Sequence, residues 1–414
     1  MGCITARSCL GVLRISTGIP ELAASSIAPM LAQFRLAKIL GQPTSPFREG
    51  HVLAAVESIL KAEKIPHFRD PANNIVVGVK SKAEYVKLFR TKSTEPVRLF
   101  IAHTDHPGFH GAEWITADRL AFKWHGGSPT AHLEGGKVWL ADGEGFVGEG
   151  RMEKVTMLES GRAIDSGVIH VKDLRRQNKA TDLFGGFGFR DTHWREGDLL
   201  YTKAADDLIG VYAILETAIA LKKKKKKTPF IGLLSRAEEV GFIGTIAHLE
   251  LGWWKNAKRK VLAVSLETSR TLPGAEIGKG PVVRLGDKKS VFDSGATQVF
   301  SDLATRVLAG KHQRRIMDGG TCEGTAATAY GIPTIAISVP LGNYHNQSFE
   351  GGPDAAPSNG PAPEFVSVAD IEGMCALTQA VMEPKLPWDK PFTATLASFR
   401  KSLKNYGKLL RSGP

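Results

Sequence analysis

Phe230-Ile231-Gly232-Leu233-Leu234-Ser235-Arg236-Ala237-Glu238-Glu239-Val240-Gly241-Phe242-Ile243-Gly244 is the stretch on which the reading of the whole chain turns. Its first five residues form an apolar run of the length of a buried strand. The run leads to two adjacent carboxylates, Glu238 and Glu239, and then to Gly241 and Gly244, which mark a turn. An open α/β sheet keeps its chemistry at the carboxyl ends of its strands. Two neighbouring acids placed there can divide the work, one binding a cation and the other, held just off it, moving protons. Taken alone, Glu238-Glu239 is more simply the acidic start of a helix, where carboxylates suit the dipole. The segments around it change that balance.

Other predicted strands end in the same manner. Val97-Arg98-Leu99-Phe100-Ile101 runs into Ala102-His103-Thr104-Asp105-His106, Val261–Leu266 into Glu267-Thr268, and Thr334–Val339 into Leu341-Gly342-Asn343-Tyr344-His345. A further strand, Ile75–Val79, follows the turn Asp70-Pro71-Ala72-Asn73-Asn74. Helical periodicity covers Phe47–Ile65, with Val52, Val56, Ile59 and Leu60 on one face, and Leu208–Leu221, which follows Ala205-Asp206-Asp207. Glu364–Met382 reads as a closing helix. Strands and helices alternating in this way define an α/β fold. From Glu113 to about Tyr201 the texture differs. Short β pieces such as Lys137–Leu140 and Val168–Val171 are separated by Gly126-Gly127, Gly135-Gly136 and Gly185-Gly186, as in a small β domain inserted into the α/β one. The expected divisions are a weakly patterned extension over 1–44, catalytic-domain halves over 45–112 and 202–383, the β insert over 113–201, and a tail over 384–414.

Composition is that of an ordinary globular protein, with 42% hydrophobic and 23% charged residues. The net charge of +12 suggests nucleic acid until it is located. Half of it is the run Lys222–Lys227, a solvated helix end. The other half is the tail, where Lys385, Lys390, Arg400, Lys401, Lys404, Lys408 and Arg411 stand against Asp389. The body is therefore neutral, and nucleic acid is not an expected partner. Four cysteines without paired spacing point to a reducing, cytoplasmic setting. No apolar run approaches the ~20 residues of a membrane span, so no membrane insertion is expected. In the tail, Phe392, Leu396, Phe399, Leu403, Tyr406 and Leu410 recur at helical spacing. Packing onto the body or a neighbouring subunit is favoured for that face over attachment to an anionic membrane surface.

The strand ends and helix starts thus carry His103, Asp105, Asp206, Glu238, Glu239, Glu267 and His345. Singly, each has a bland explanation, such as a helix cap for Asp206-Asp207. Together they stand at one side of one sheet. Two histidines and three carboxylates suffice for a pair of divalent ions if one carboxylate bridges them.

The order A-H-T-D, A-D-D-L-I-G, E-E-V-G, Gly319-Gly320-Thr321 and a final histidine, spread from about Phe47 to Met382, resembles the co-catalytic metallo-aminopeptidases of the tetrahedral and glutamyl aminopeptidase type. The resemblance implies a three-layer α/β/α catalytic domain whose β insert mediates dimerisation, and homo-oligomers from dimers to dodecamers. It implies two divalent metal ions per chain, zinc first and cobalt or manganese as alternatives. His103, Asp206 and Glu267 would hold one ion. Glu239, Asp206 and His345 would hold the other, with Glu238 as general base and Asp105 orienting His103. The implied reaction is removal of N-terminal residues from short peptides. A non-peptide amidase or deacylase on the same centre, and a non-catalytic oligomeric scaffold, are the alternatives.

Three features depart from the family pattern. His106 stands where an acid is usual, and Cys322 follows Gly-Gly-Thr in place of aspartate. An ungapped alignment would put Ser265 at the non-bridging ligand position. Glu267 is preferred there because a longer carboxylate reaches from a shifted Cα.

Overall fold

The computed structural model describes residues 21–175, 178–225 and 229–412. Its main sheet has eight strands. From one edge to the other they are His67–Arg69, Ile75–Val77, Phe230–Ser235, Val97–His103, Val261–Arg270, Thr334–Leu341, Val282–Asp287 and Gln313–Met317. The middle four run parallel, in a register that sets Ser235 beside His103 and Glu267 beside Ser338. Their carboxyl ends therefore open on one edge, which is where ligands bind in such sheets.

Burial on both faces explains the near-continuous apolar runs. Phe100, Leu234, Val264, Leu266, Ile335 and Ile337 pack on one side against the helices Gly50–Ala62, Leu208–Lys223 and Val368–Val381. Alternate residues, Leu99, Ile101, Ile231, Leu233 and Ala263, pack on the other against Lys82–Arg90, Ile243–Glu250 and Glu323–Ala329. The result is three layers. Leu208–Lys223 is buried nearly all round, as expected of a helix lying between the sheet and outer helices. Lys222 and Lys223 sit in its last turn, while the end of the lysine run, residues 226–227, lies outside the described residues.

Six strands between Gly108 and Phe187 close into an antiparallel barrel around Phe109, Phe122, Trp124, Val138, Leu140 and Ile169. After it, a hairpin of His193–Glu196 and Leu199–Thr202 pairs with Glu364–Ser367.

Several elements differ from expectation. Residues 21–40 form a helix whose end carries buried Ile39 and Leu40, and its Arg35 makes a bidentate pair with Glu216. Tertiary contact rather than a continuous apolar face holds it. Lys82–Arg90, too charged to show as a core helix, is a helix capped by Ser81, with only Tyr85 and Phe89 buried. Glu364 does not begin a helix. It begins a four-residue strand, and the helix starts after Ser367, whose Oγ accepts from the Asp370 amide at 3.3 Å. The tail forms the helix Thr393–Ser412, but its apolar side chains do not pack on the body: Phe399, Leu403 and Tyr406 are 64%, 62% and 65% exposed.

Candidate active site

The loop after Phe230–Ser235 is built to aim two adjacent carboxylates. Ala237 takes a positive φ of 52° and Phe242 one of 60°. An outside partner holds the first, and the Phe242 amide donates to the Glu238 carbonyl within the loop at 2.8 Å. Glu49 accepts from the Ala237 amide at 3.0 Å and from Arg236 Nε at 2.8 Å. Asp105 accepts the amides of Glu238 and Glu239, at 3.0 and 3.1 Å, on its two carboxylate oxygens. Asp105 is thus principally the anchor of this loop. Its backbone carbonyl lies 3.2 Å from His103 Nδ1 and its carboxylate 3.6 Å, so the same residue also faces the histidine.

Around that loop the structure gathers the other candidates. His103 Nε2 lies 3.5 Å from Asp206 Oδ1 and 3.9 Å from Glu238 Oε2. His345 Nε2 lies 3.2 Å from Glu239 Oε2 and 3.7 Å from Asp206 Oδ2. Asp206 therefore faces both histidines, one oxygen toward each. His103, Asp206 and Glu239 each offer a ligand atom, and these lie within 4.8 Å of one another. Glu267 stands inside its strand rather than beyond its end, buried beside Arg284 at 4.0 Å. Ser265, two residues earlier on the same face, accepts from the Gly324 amide at 3.1 Å and donates toward Cys322 Sγ. The hydroxyl is thus engaged by the start of the helix Glu323–Ala329.

Sequence reasoning passed over Glu364 and Glu323 here and gave His106 and Gly127 no role, while its reading of Asp207 as a helix cap holds. Glu364 accepts the amides of Ala205 and Asp206 on Oε2, at 2.7 and 3.2 Å, and that of His345 on Oε1 at 2.9 Å, so one buried carboxylate positions two candidate ligands. His106 lies 2.9 Å from the Asp206 carbonyl through Nδ1 and 3.1 Å from Asn346 Oδ1 through Nε2. Asp207 accepts from Thr268 Oγ1 at 3.1 Å and caps the following helix. Glu323 accepts from the hydroxyls of Ser235 and Thr245. Gly127, in the loop after a barrel strand, packs so tightly on His345 that a Cβ would lie 2.0 Å from its Nδ1. The barrel thereby forms one wall of the site.

The electrostatics are those of an anionic nest. Burial pushes the Glu238 carboxyl well above its ordinary range, with the charges of Glu239, Glu267 and Glu323 adding to the rise against the opposing pull of His103. Glu267 is pushed up to about 8 by burial and Asp206 against the pull of Arg284. The imidazoles move in the opposite sense. Burial would lower His103 and His345, but Glu238 beside the first and Glu239 beside the second raise them. Acids held up and imidazoles also held up mark excess negative charge in one cavity. A cation fits this test. Asp206 Oδ1, Glu239 Oε1, Glu267 Oε1 and His345 Nε2 are all buried without a hydrogen-bond partner in the protein, whereas buried polar atoms are normally paired.

Lys203, three residues before Asp206, is buried, donates to the Gln42 carbonyl and lies 5.7 Å from the Trp139 ring centroid. Burial pushes its ammonium down to about 7 despite the charge of Glu364. An unfolded lysine keeps its proton to about pH 10.4, so between these values the unfolded chain binds more protons and stability gains with rising pH. In chelator, the stability of the parent relative to Lys203→Met is expected to rise by roughly 1 kcal/mol per pH unit from pH 7 to 9. Urea midpoints that stay parallel would contradict this.

The M42 glutamyl aminopeptidase family model matches residues 86–349, more than half of the chain. The chain belongs to that family, whose members are metal-dependent peptide-bond hydrolases, and it is itself a peptide-bond hydrolase. The fold is shared with solved structures. The TET1 peptidase of Pyrococcus horikoshii, described as assembling into a tetrahedron or a large octahedral shell, is 18% identical with a TM-score of 0.64, over 85% of this chain and 99% of that one. A TET aminopeptidase from a marine sediment thaumarchaeon is 17% identical with a TM-score of 0.67, over 88% of this chain and 100% of that one. An aminopeptidase of Desulfurococcus kamchatkensis is 17% identical, also at 0.67, over 88% and 98%. Among the described residues, no helix is long and apolar enough to cross a membrane.

Proposed function

We propose that this hydrolase is a two-metal aminopeptidase acting on short peptides. The observation that carries the reading is the set of buried ligand atoms without hydrogen-bond partners on Asp206, Glu239, Glu267 and His345, beside the group of ligand atoms from His103, Asp206 and Glu239 that lie within 4.8 Å of one another. His103, Asp206 and Glu267 would hold one ion, and Glu239, His345 and the second oxygen of Asp206 the other. Imidazole with carboxylate suits zinc, and also cobalt or manganese. When bound, such a pair supplies Lewis acidity, acidifying a water and polarising the amide carbonyl.

The remaining chemistry belongs to the chain. Glu238 is buried beside the cluster with its proton affinity raised. It is suited to take the proton of the attacking water and return it to the leaving amine. Asp105, by gripping the amides of residues 238 and 239, keeps the base in place. Glu364 does the same for Asp206 and His345.

A cavity of about 340 Å³ adjoins Glu267 and His345, and Arg162, Arg270 and Arg284 line it. Three cations lining that cavity would favour an acidic side chain on the N-terminal residue, in keeping with the glutamyl name of the family. Arg284 is already engaged by Glu267 at 4.0 Å, whereas the Arg270 guanidinium lies 3.5 Å from the Phe349 ring centroid. Arg270→Ala is expected to reduce the preference for glutamyl over leucyl substrates in kcat/KM by roughly tenfold or more, the worth of a charged hydrogen bond. An unchanged ratio would remove Arg270 from substrate recognition.

We assign the barrel, by the likeness to tetrahedral peptidases, to assembly of a homo-oligomer. The reading as a whole is tested by a panel of unblocked and N-acetylated peptides. Cleavage of only the unblocked set is expected, whereas cleavage of the acetylated set would make the chain a deacylase on the same centre.

A further inference from the structure

The helix Thr393–Ser412 is the one large apolar face that the described fold leaves without a cover. Leu396, Phe399, Leu403, Tyr406 and Leu410 fall on a single side of it, Phe392 stands just before it, and the exposures of these six run from 41% to 78%. Gly407 alone in the helix is buried, and the nearest atoms around it belong to Leu403 and Arg411 of the same helix. The chain is fixed to the body just before this point. Arg98 donates to the Glu383 carbonyl at 3.0 Å and lies 5.9 Å from the Trp388 ring centroid. After Trp388 and Pro391 the helix leaves.

Charge selects the occupant of that face. The helix contains Arg400, Lys401, Lys404, Lys408 and Arg411 and no acidic residue, and among the described residues none of these cations is in an ion pair. A second copy of the helix would set five cations against five. The rest of the chain offers no net negative charge to receive them, since its formal charge, apart from the lysine run and the tail, is zero. Nucleic acid would meet the cations but leave six large apolar side chains in water. An anionic lipid surface satisfies both faces at once. Rings and leucines enter the acyl boundary while lysine and arginine stems reach the headgroups, in a helix too polar overall to cross the bilayer and suited to lie in its interface. We propose that Thr393–Ser412 is an in-plane anchor that docks this peptidase on anionic membrane surfaces.

The test is co-sedimentation of the full-length protein with vesicles of phosphatidylcholine alone and of phosphatidylcholine containing about one third phosphatidylglycerol, a composition that supplies the negative surface on which such helices depend. Binding is expected only to the anionic vesicles and is expected to fall as salt rises. The double variant Phe399→Asp/Leu403→Asp should abolish binding, and each of Lys404→Gln and Lys408→Gln should weaken it about fivefold, the worth of one juxtamembrane charge. Ser402→Asp/Asn405→Asp, which puts acids on the polar face, should weaken but not abolish it. Peptidase activity should be unchanged in all of them, which shows that the variants are folded. Equal binding to neutral vesicles, no binding to either, or a change of oligomeric mass in Phe399→Asp/Leu403→Asp without any lipid effect would overturn the proposal. The last result would assign the face to a second copy.

Discussion

Glu238→Gln is expected to lower kcat by roughly 10²- to 10⁴-fold, the range for loss of a positioned acid–base group, while leaving metal content unchanged. The amide keeps the shape of the side chain and cannot carry a proton. Glu238 Oε2 stands 3.9 Å from His103 Nε2, and the Glu238 amide is held by Asp105 at 3.0 Å, so the exchange leaves the backbone trap intact. Burial, together with Glu239 and Glu267, raises the proton affinity of Glu238 well above that of a free carboxylate, which suits a group that must both accept and release a proton near neutral pH. Retained activity with full metal would move the base elsewhere in the cluster. Loss of metal along with activity would make Glu238 a ligand.

Asp206→Asn is expected to remove both ions at once. Asp206 is the carboxylate that faces His103 at 3.5 Å and His345 at 3.7 Å through different oxygens. A bridging ligand predicts a shared loss, whereas Glu267→Gln should cost only one ion. Activity should fall to background, and metal should no longer raise the melting temperature. In the parent, saturation at 100 times Kd would contribute about 2.7 kcal/mol for one site. In chelator the variant should still melt below the parent, because Asp206 there faces the imidazoles of His103 and His345, whose proton affinity is raised, and the exchange removes that attraction. Differential scanning fluorimetry with and without chelator reads both effects. Two ions retained by the variant would refute the bridging role.

Much of this arrangement was visible in the sequence because the central strands are buried on both faces, which makes them apolar without interruption, and because the residues after them are polar at once. Leu234 and Leu266 are core, while Glu238 and Glu267 follow within a few positions. Where burial is one-sided or short, the signal disappeared. Glu364 sits at the start of a four-residue strand after a Pro- and Gly-rich loop. Nothing local marks it as the acceptor of three amides, because its partners lie 19 residues away at His345 and more than 150 away at Ala205 and Asp206. Arg35 and Glu216, which pin the first described helix, are 181 residues apart. Ala237 adopts a left-handed conformation that composition assigns to glycine, and only the grip of Glu49 on its amide explains it. The tail showed its amphipathic face plainly. That the face is left uncovered is a property of the fold.

The most direct test of the two-metal account is titration of metal into chelator-treated protein, with activity on an unblocked glutamyl peptide followed against bound ion by elemental analysis. Activity absent in the metal-free protein and rising to a plateau at about two equivalents of zinc, cobalt or manganese is the predicted result, since two ions would share the proposed donor set. Undiminished hydrolysis by protein shown to be free of metal would contradict it.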